Sequence, residues 1–291
     1  IPSNSNFEFM KFRKPMLFLS IFFIIFAILL LIFKGLNLGI DFKGGTLIEV
    51  NTNKSNISEL RKILSPEFND VSLQEFGDSK TIIIRVQNDS NTESIATINR
   101  VKELINNEIN EFRRSEFVGP TISSELLFKG LQAVAFALIA ILFYIWIRFE
   151  WQFGFGAVVA LIHDVLFTLG VLSLFNIEFS LSSIAAILTI AGYSINDTVV
   201  IFDRVRENLR KYKKLNLVDL FNTSINNTLS RTVMTSITTL IALFSLFILG
   251  GEVIKPFAFA MIIGVLIGTY SSIFIAVPTL LLFKFRPQED E

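Results

Sequence analysis

The chain has 291 residues, of which 52% are hydrophobic and 18% are charged, and its mean hydropathy is +0.58. A soluble domain usually has about 25% charged residues, so this composition excludes an ordinary water-soluble fold and predicts a membrane protein. Lys and Arg together number 26, as do Asp and Glu, and zero net charge gives no reason to expect nucleic-acid binding. The absence of cysteine excludes disulfides and thiolate chemistry, and a single histidine excludes a multi-histidine metal site.

Six segments are apolar over the length, about 20 residues, that a helix needs to cross a hydrocarbon core. They are residues 15–33, 130–147, 153–175, 179–202, 232–250 and 257–283. The first is not followed by the small-residue cleavage site of a signal peptide, so we interpret it as a retained span. The predicted organisation is an arm at 1–14, the first helix, an exported segment at 34–128, five helices within 129–283 and a tail at 284–291.

The basic residues of the short connections are distributed unequally. One set of connections, together with both termini, holds thirteen basic residues, whereas the two opposite short loops hold only Lys255. Because short cytoplasmic loops are enriched in Lys and Arg, the pattern predicts a multi-pass protein with both termini in the cytoplasm.

Residues 34–128 have the pattern of a folded domain. Strands are expected at 45–50, 71–76, 81–86 and 112–118, and helices at 57–64 and 92–109. Residues 77–80 separate the second and third strands as a hairpin turn would. The order β-α-β-β-α-β predicts a small ferredoxin-like α+β domain, with a generic α+β domain as the alternative.

Asp197 is the residue of the membrane spans that most needs an explanation, because a carboxylate at the centre of such a helix costs about 2.5 to 3.5 kcal/mol. Arg231 begins the next span from the same side, and its long side chain can reach toward Asp197. The two residues either bind and release a proton under the influence of the permanent arginine charge, or they neutralise each other and join two helices. Four neighbouring side chains make this a polar stretch and favour the functional interpretation: Tyr193, Ser194, Asn196 and Thr198.

Two other polar groups lie in the spans. A row of hydroxyls on the fifth span could line a water or proton path or serve helix packing in lipid. Its members are Thr228, Thr232, Thr235, Ser236 and Thr239. His163 and Asp164 lie at the middle of the third span, and we interpret them as a neutral, hydrogen-bonded pair that joins helices, with a proton relay as the alternative. A small residue at every fourth position of the last span predicts a packing seam, against another helix or a partner subunit: Ala260, Gly264, Gly268 and Ser272.

The sequence contains neither a nucleotide-binding motif nor a nucleophile with a base at suitable spacing. We therefore expect no enzymatic activity, no catalytic residues, no metal and no cofactor. An ion gradient remains as an energy source, since one charge that moves through 100 mV releases about 2.3 kcal/mol.

Three motifs, in order along the chain, resemble one known family. GIDFKGGT at 39–46 resembles the signature that opens the exported domain in the SecD/SecF family, the accessory membrane subunits of bacterial protein secretion. AGYSINDTVVIFDRVREN at 191–208 resembles the family's fourth helix, and SRTVMTS at 230–236 is similar to the start of its fifth. The resemblance covers about residues 35 to 285.

The resemblance implies one half of an assembly of the resistance-nodulation-division type in the bacterial inner membrane, with SecD as the other half. It also implies proton conduction at Asp197 and Arg231, and movement of the exported domain that helps unfolded polypeptide emerge from the SecYEG channel. YajC and membrane lipid are further implied partners, and nucleic acid is not. The alternatives are an exporter of small molecules or lipids from the same superfamily, and a passive scaffold for the translocon.

The glycine-rich signature also has a local explanation. Gly44 and Gly45 allow a tight turn with positive φ where the chain enters its first strand, and Asp41 could cap that turn through its own backbone. A structural role is therefore favoured over substrate contact for the signature residues Gly39, Asp41, Gly44 and Gly45.

Overall fold

The computed structural model describes residues 6–52, 57–68, 71–76, 78–87, 91–251 and 253–283, and the structural statements below concern these residues. The predicted tail at 284–291 and the turn residue Gly77 lie outside them. The chain forms two compact units, one made of residues 1–37, 133–178 and 182–291 and the other of residues 38–132 and 179–181. The first unit is a helical bundle, and the second is an α+β domain.

The secondary-structure elements are as follows. The helices are α1 (Arg13–Phe33), α2 (Ile40–Lys43), α3 (Ile57–Leu64), α4 (Asn91–Ile105), α5 (Pro120–Arg148), α6 (Trp151–Leu174), α7 (Leu181–Lys211), α8 (Leu217–Leu249), α9 (Lys255–Ser271) and α10 (Val277–Thr279). The strands are β1 (Asn37–Leu38), β2 (Gly45–Thr52), β3 (Val71–Phe76), β4 (Asp78–Val86), β5 (Ile109–Val118) and β6 (Glu178–Phe179).

Six helical segments of the described chain are long and apolar enough to cross a membrane, which confirms the predicted number of spans. They are Phe9–Phe33, Thr121–Arg148, Trp151–Leu174, Leu181–Lys211, Leu217–Leu249 and Lys255–Leu282. The first includes a short 3-10 helix, Phe9–Phe12, ahead of α1.

Several helices extend beyond the segments expected from hydropathy. Helix α5 begins at Pro120 rather than at residue 130, and α7 continues to Lys211 rather than ending at 202. Helix α8 begins at Leu217 rather than at 232, after Asn216, whose Oδ1 accepts a hydrogen bond from the amide of Val218 at 3.2 Å. Hydropathy detects the apolar part of a helix, whereas backbone hydrogen bonding continues through polar residues up to a capping signal.

The early start of α8 changes the expected position of Arg231. This residue lies well inside the helix, not at its beginning. Its backbone amide is therefore part of the regular helical ladder.

The last membrane helix is interrupted by a π-helical turn. Residues Ser272–Ala276 form this turn directly after α9, and Pro278 follows within α10. Proline has no amide proton to donate within a helix, and single π turns are rare and often lie at functional sites. This irregular segment faces the polar residues described below.

Two glycines of the small-residue seam in the last span pack against another helix of the same chain. A Cβ atom added at Gly264 would lie 2.2 Å from Ile190 Cγ1, and one at Gly268 would lie 3.1 Å from Ser194 Cβ. Helices α7 and α9 therefore approach each other closely at these two glycines. Gly170 makes a similar approach possible between α6 and α1, since its Cβ would lie 2.3 Å from Ala27 Cβ.

The α+β unit contains a four-stranded antiparallel sheet in the order β3-β4-β2-β5. Alternate residues of β2 and β4, among them Ile48, Val50, Ile82 and Ile84, form a buried core. Leucines of α3 and apolar residues of α4 complete that core: Leu60, Leu64, Val101 and Ile105. The order of elements and strands is that of the split ferredoxin-like arrangement, as predicted.

Several boundaries in this unit differ from the prediction, among them the start of β5 at Ile109 rather than at 112. Helix α4 ends at Ile105 rather than at 109, and β4 begins at Asp78 rather than at 81. Strand β5 starts at Ile109, and pairing of Thr52 with Ile109 satisfies backbone groups there that a longer helix would have used.

Candidate functional site

Asp197 lies in the interior of the α7 helix, and only 4% of its surface is exposed. Its Oδ2 atom is buried and has no hydrogen-bond partner among the described residues. An ionised carboxylate in an apolar interior is unfavourable unless it is paired or hydrogen-bonded. An ionised Asp197 at this position would therefore require a cation or water beside it.

Arg231, on α8, is the cation that the sequence suggests as the partner of this carboxylate. Its side chain is exposed on the surface of the chain. Within the described part of the chain, however, the two residues form no salt bridge within 4.0 Å. The direct carboxylate–guanidinium pair that the sequence suggested is thus not closed in this structure, because Arg231 is turned outward from the bundle.

Two of the neighbouring polar residues of α7 connect it to other helices. The Tyr193 hydroxyl donates to Ser236 Oγ on α8 at 3.4 Å, and the Thr198 hydroxyl lies 2.8 Å from Ser272 Oγ in the π turn. Asn196 instead is exposed on the surface of the bundle. In the polar stretch around Asp197, two residues therefore contact other helices and one polar residue is exposed.

The hydroxyl row of α8 is used mainly within its own helix. Thr235 Oγ1 donates to the carbonyls of Thr232 and Arg231, at 2.9 and 3.1 Å, and such bonds to the preceding turn are common for Ser and Thr in helices. Ser236 also reaches another helix, since its Oγ lies 2.7 Å from Thr269 Oγ1 on α9. The structure thus links α8 to α9 through Ser236 rather than through the whole row.

His163 and Asp164 form the hydrogen bond expected from the sequence, with His163 Nδ1 at 3.0 Å from Asp164 Oδ1. Asp164 is fully buried, and its Oδ2 accepts hydrogen bonds from Ser194 Oγ on α7 at 2.5 Å and from Ser271 Oγ on α9 at 2.7 Å. Sequence reasoning missed Ser271 altogether. The consecutive serines at 271 and 272 in a mostly apolar helix were the available signal.

The signature residues lie at the start of the α+β unit. Gly44 and Gly45 have φ values of 73° and 105°, as expected for a turn that favours glycine. A Cβ atom at Gly45 would also lie 2.6 Å from the carbonyl oxygen of Val86. The Gly39 amide donates to the carbonyl of Phe179 at 2.9 Å, so the signature segment is held beside the residues that precede α7.

Asp41 has a different role from the expected one. Its Oδ2 accepts a hydrogen bond at 2.9 Å from the amide of Leu181, the first residue of α7, instead of capping its own turn. The first amides of a helix have no partner within the helix, and a carboxylate there also interacts favourably with the helix dipole. The signature thus supplies a cap to the helix that carries Asp197.

These features define a polytopic membrane protein with six candidate spans, a small α+β domain inserted between the first and second of them, and a buried carboxylate in its helical bundle. Residues 97–286 match the family described as protein export membrane protein SecD/SecF, C-terminal, and residues 29–55 match the SecD/SecF GG motif. The chain belongs to the SecD/SecF family and is a subunit of the protein translocase. The resemblance seen in three sequence motifs is confirmed.

Individual relatives agree with this family. The protein translocase subunit SecF of Rickettsia rickettsii is 42% identical over 98% of this chain and 94% of that relative, and that of Rickettsia prowazekii is 43% identical with the same coverage. The crystal structure of SecDF from Thermus thermophilus, a translocon-associated membrane protein, is 35% identical with a TM-score of 0.89. A crystal structure of SecDF in a super-membrane-facing form is 34% identical with a TM-score of 0.72.

Nearly all of this chain aligns with each SecDF structure, but it covers less than half of each SecDF chain. The Thermus structure aligns with 98% of this chain, whereas the chain spans 40% of that SecDF chain. The corresponding values for the super-membrane-facing form are 96% and 39%. This chain thus resembles one part of a longer SecDF polypeptide.

Proposed function

We propose that this chain acts with a SecD partner to use the proton-motive force in promoting protein export through the SecYEG channel. In this proposal Asp197 binds and releases the proton, and Arg231 is the permanent charge that Asp197 responds to. The observation that carries the proposal is the buried Asp197 Oδ2, which has no hydrogen-bond partner in the described part of the chain.

The chemistry follows from two charge states of one side chain. A protonated Asp197 is neutral and can remain in an apolar interior, whereas an ionised Asp197 is attracted to Arg231 or to water. Arg231 stays charged at any accessible pH, so proton binding alone changes the force between α7 and α8. Each charge that crosses 100 mV supplies about 2.3 kcal/mol for such a movement.

A SecD partner is supported by the surface that α7 and α8 present. Asn196 on α7 is exposed, as are Arg231 and Thr238 on α8. Polar and charged groups in membrane helices usually face other protein or a water-filled path rather than lipid. The resemblance to part of the longer SecDF chain supports the same partner.

The orientation in the bacterial inner membrane is also part of the proposal. The basic connection between α7 and α8 and both termini would lie in the cytoplasm, and the α+β unit would lie on the periplasmic side. SecYEG, YajC and the exported polypeptide enter the proposal through the family alone.

The test is an Asp197→Asn variant in vesicles that contain the reconstituted translocase with its SecD partner. Export should lose its stimulation by the proton gradient, while the variant still copurifies with SecD. Asp203→Asn is the matched control, because Asp203 lies on the same helix but is half-exposed and paired with Arg148 at 3.1 Å. Full gradient-dependent stimulation in the Asp197→Asn variant would leave a passive scaffold as the better explanation.

A further inference from the structure

Asp164 is the second carboxylate in the bundle, and its environment is opposite to that of Asp197. It is 0% exposed, and both of its oxygens are hydrogen-bonded. The donors come from three positions: His163 on its own helix α6, Ser194 on α7 and Ser271 on α9. One side chain thus connects three membrane helices at a single point.

The two serines lie beside the elements that surround Asp197. Ser194 precedes Asp197 by three residues, which places the two residues one turn apart on neighbouring positions of α7. Thr198 follows Asp197 directly, and its hydroxyl lies 2.8 Å from Ser272 Oγ, next to Ser271. Helix α7 is therefore tied to the last membrane helix on both sides of Asp197.

Helix α7 and the last membrane helix lie close together at these hydrogen bonds. Gly268 lies against Ser194, with space for little more than a hydrogen atom, since an added Cβ would be 3.1 Å from Ser194 Cβ. Asp197 itself forms no hydrogen bond through Oδ2 to the described residues. Its distance from Arg231 is consequently set by how α7 is held and not by a bond of its own.

From this geometry we infer that Asp164 is a positioning residue: through Ser194 and Ser271 it fixes α7 against α9 and so sets the place of Asp197 relative to Arg231. The inference rests on the function proposed above and adds a residue to it. It extends the interpretation of His163 and Asp164 as a hydrogen-bonded pair that joins helices.

Other titratable groups near Asp164 have to be separated from it in any test. His163 is hydrogen-bonded to it, and the Tyr270 ring of α9 lies 6.2 Å from the His163 ring. The Tyr270 hydroxyl is itself 2.9 Å from Ser20 Oγ on α1 and donates to the carbonyl of Met16. A measurement specific to a protonated carboxylic acid excludes both of these side chains.

The test is infrared difference spectroscopy of the full chain in lipid nanodiscs, titrated with pH. The carboxylic-acid band of Asp197 is assigned by its loss in Asp197→Asn. In Ser194→Ala and in Asp164→Asn, the pH midpoint of that band should differ from the parent value by about 0.5 pH units or more, because the position of Asp197 changes.

Thr168→Val is the matched control. Thr168 is fully buried one turn beyond Asp164 on α6, and its hydroxyl has no partner among the described residues, so its replacement should leave the midpoint unchanged. A midpoint in Ser194→Ala equal to that of Thr168→Val would overturn the inference and leave the proposed function intact. The absence of any titrating band that depends on Asp197 would overturn the proposed function itself. If Asp164→Asn does not fold, the pH midpoint of the Ser194→Ala variant tests the inference by itself.

Discussion

Asp197 and Asp164 are both aspartates in apolar helices, yet their oxygens are satisfied in different ways. Asp164 accepts hydrogen bonds from residues that are 30 and 107 positions away in the chain, whereas Asp197 Oδ2 has none in the described structure. The energetic penalty of a carboxylate in a membrane span marks both residues from sequence alone. The pairing of Asp164 with His163 was predictable, but its partners Ser194 and Ser271 were not, because they lie on helices whose relative rotation the sequence pattern does not specify.

The separation of Arg231 from Asp197 leads to a prediction about charge and shape. Since no direct salt bridge joins the two residues, Arg231 acts through its charge and not through the planar geometry of its guanidinium. Arg231→Lys should therefore retain at least half of the gradient-stimulated export, and Arg231→Met should retain almost none. The measurement is translocation into vesicles with and without an uncoupler. A Lys variant as inactive as the Met variant would indicate that a direct, bidentate pair forms during turnover.

Helix ends show where sequence patterns stop being informative. The apolar core of each span was visible, but α8 begins fifteen residues before the expected position because Asn216 caps it. The role of Asp41 was missed for a related reason. Its position in the signature suggested a local turn, whereas its partner, the Leu181 amide, is 140 residues away.

Removal of the Asp41 carboxylate should loosen the start of α7. The loss of a helix cap costs about 1 kcal/mol, which corresponds to roughly fivefold faster local opening. Asp41→Ala should therefore exchange the amide hydrogens of the first turn of α7 faster by about that factor, as measured by hydrogen–deuterium exchange of the intact chain. Asp41→Asn keeps an acceptor and should have a smaller effect, and Lys43→Ala, an exposed neighbour, should have none.

The packing of α7 on α9 gives a second prediction for whole elements. In Gly264→Ala the new Cβ would lie 2.2 Å from Ile190 Cγ1, and such overpacking typically costs about 1 to 3 kcal/mol. Thermal unfolding in detergent should occur at a lower temperature, and Ile190→Ala in the same chain should recover part of the loss. Gly192→Ala is the control, since no atom lies within 4 Å of its added Cβ. Equal stability of the two glycine variants would contradict the close approach of α7 and α9.

At the scale of the whole molecule, the architecture was largely predictable because each signal is local. An apolar run identifies a span by itself, and the alternation in segments such as GTLIEV identifies a strand by itself. The order of those strands followed from the known split arrangement once the sequence of elements was recognised. The polar contacts among α6, α7 and α9 could not be read in this way, since they depend on three helices meeting at one level.

The central claim is that Asp197 changes its protonation state as the translocase uses the proton gradient. The most direct measurement is infrared difference spectroscopy on vesicles with the reconstituted translocase, recorded before and after a proton gradient is imposed during export. A carboxylic-acid band that changes with the gradient, and that is absent in Asp197→Asn, is the expected result. A band that stays constant throughout turnover would mean that Asp197 remains in one charge state and only braces the bundle.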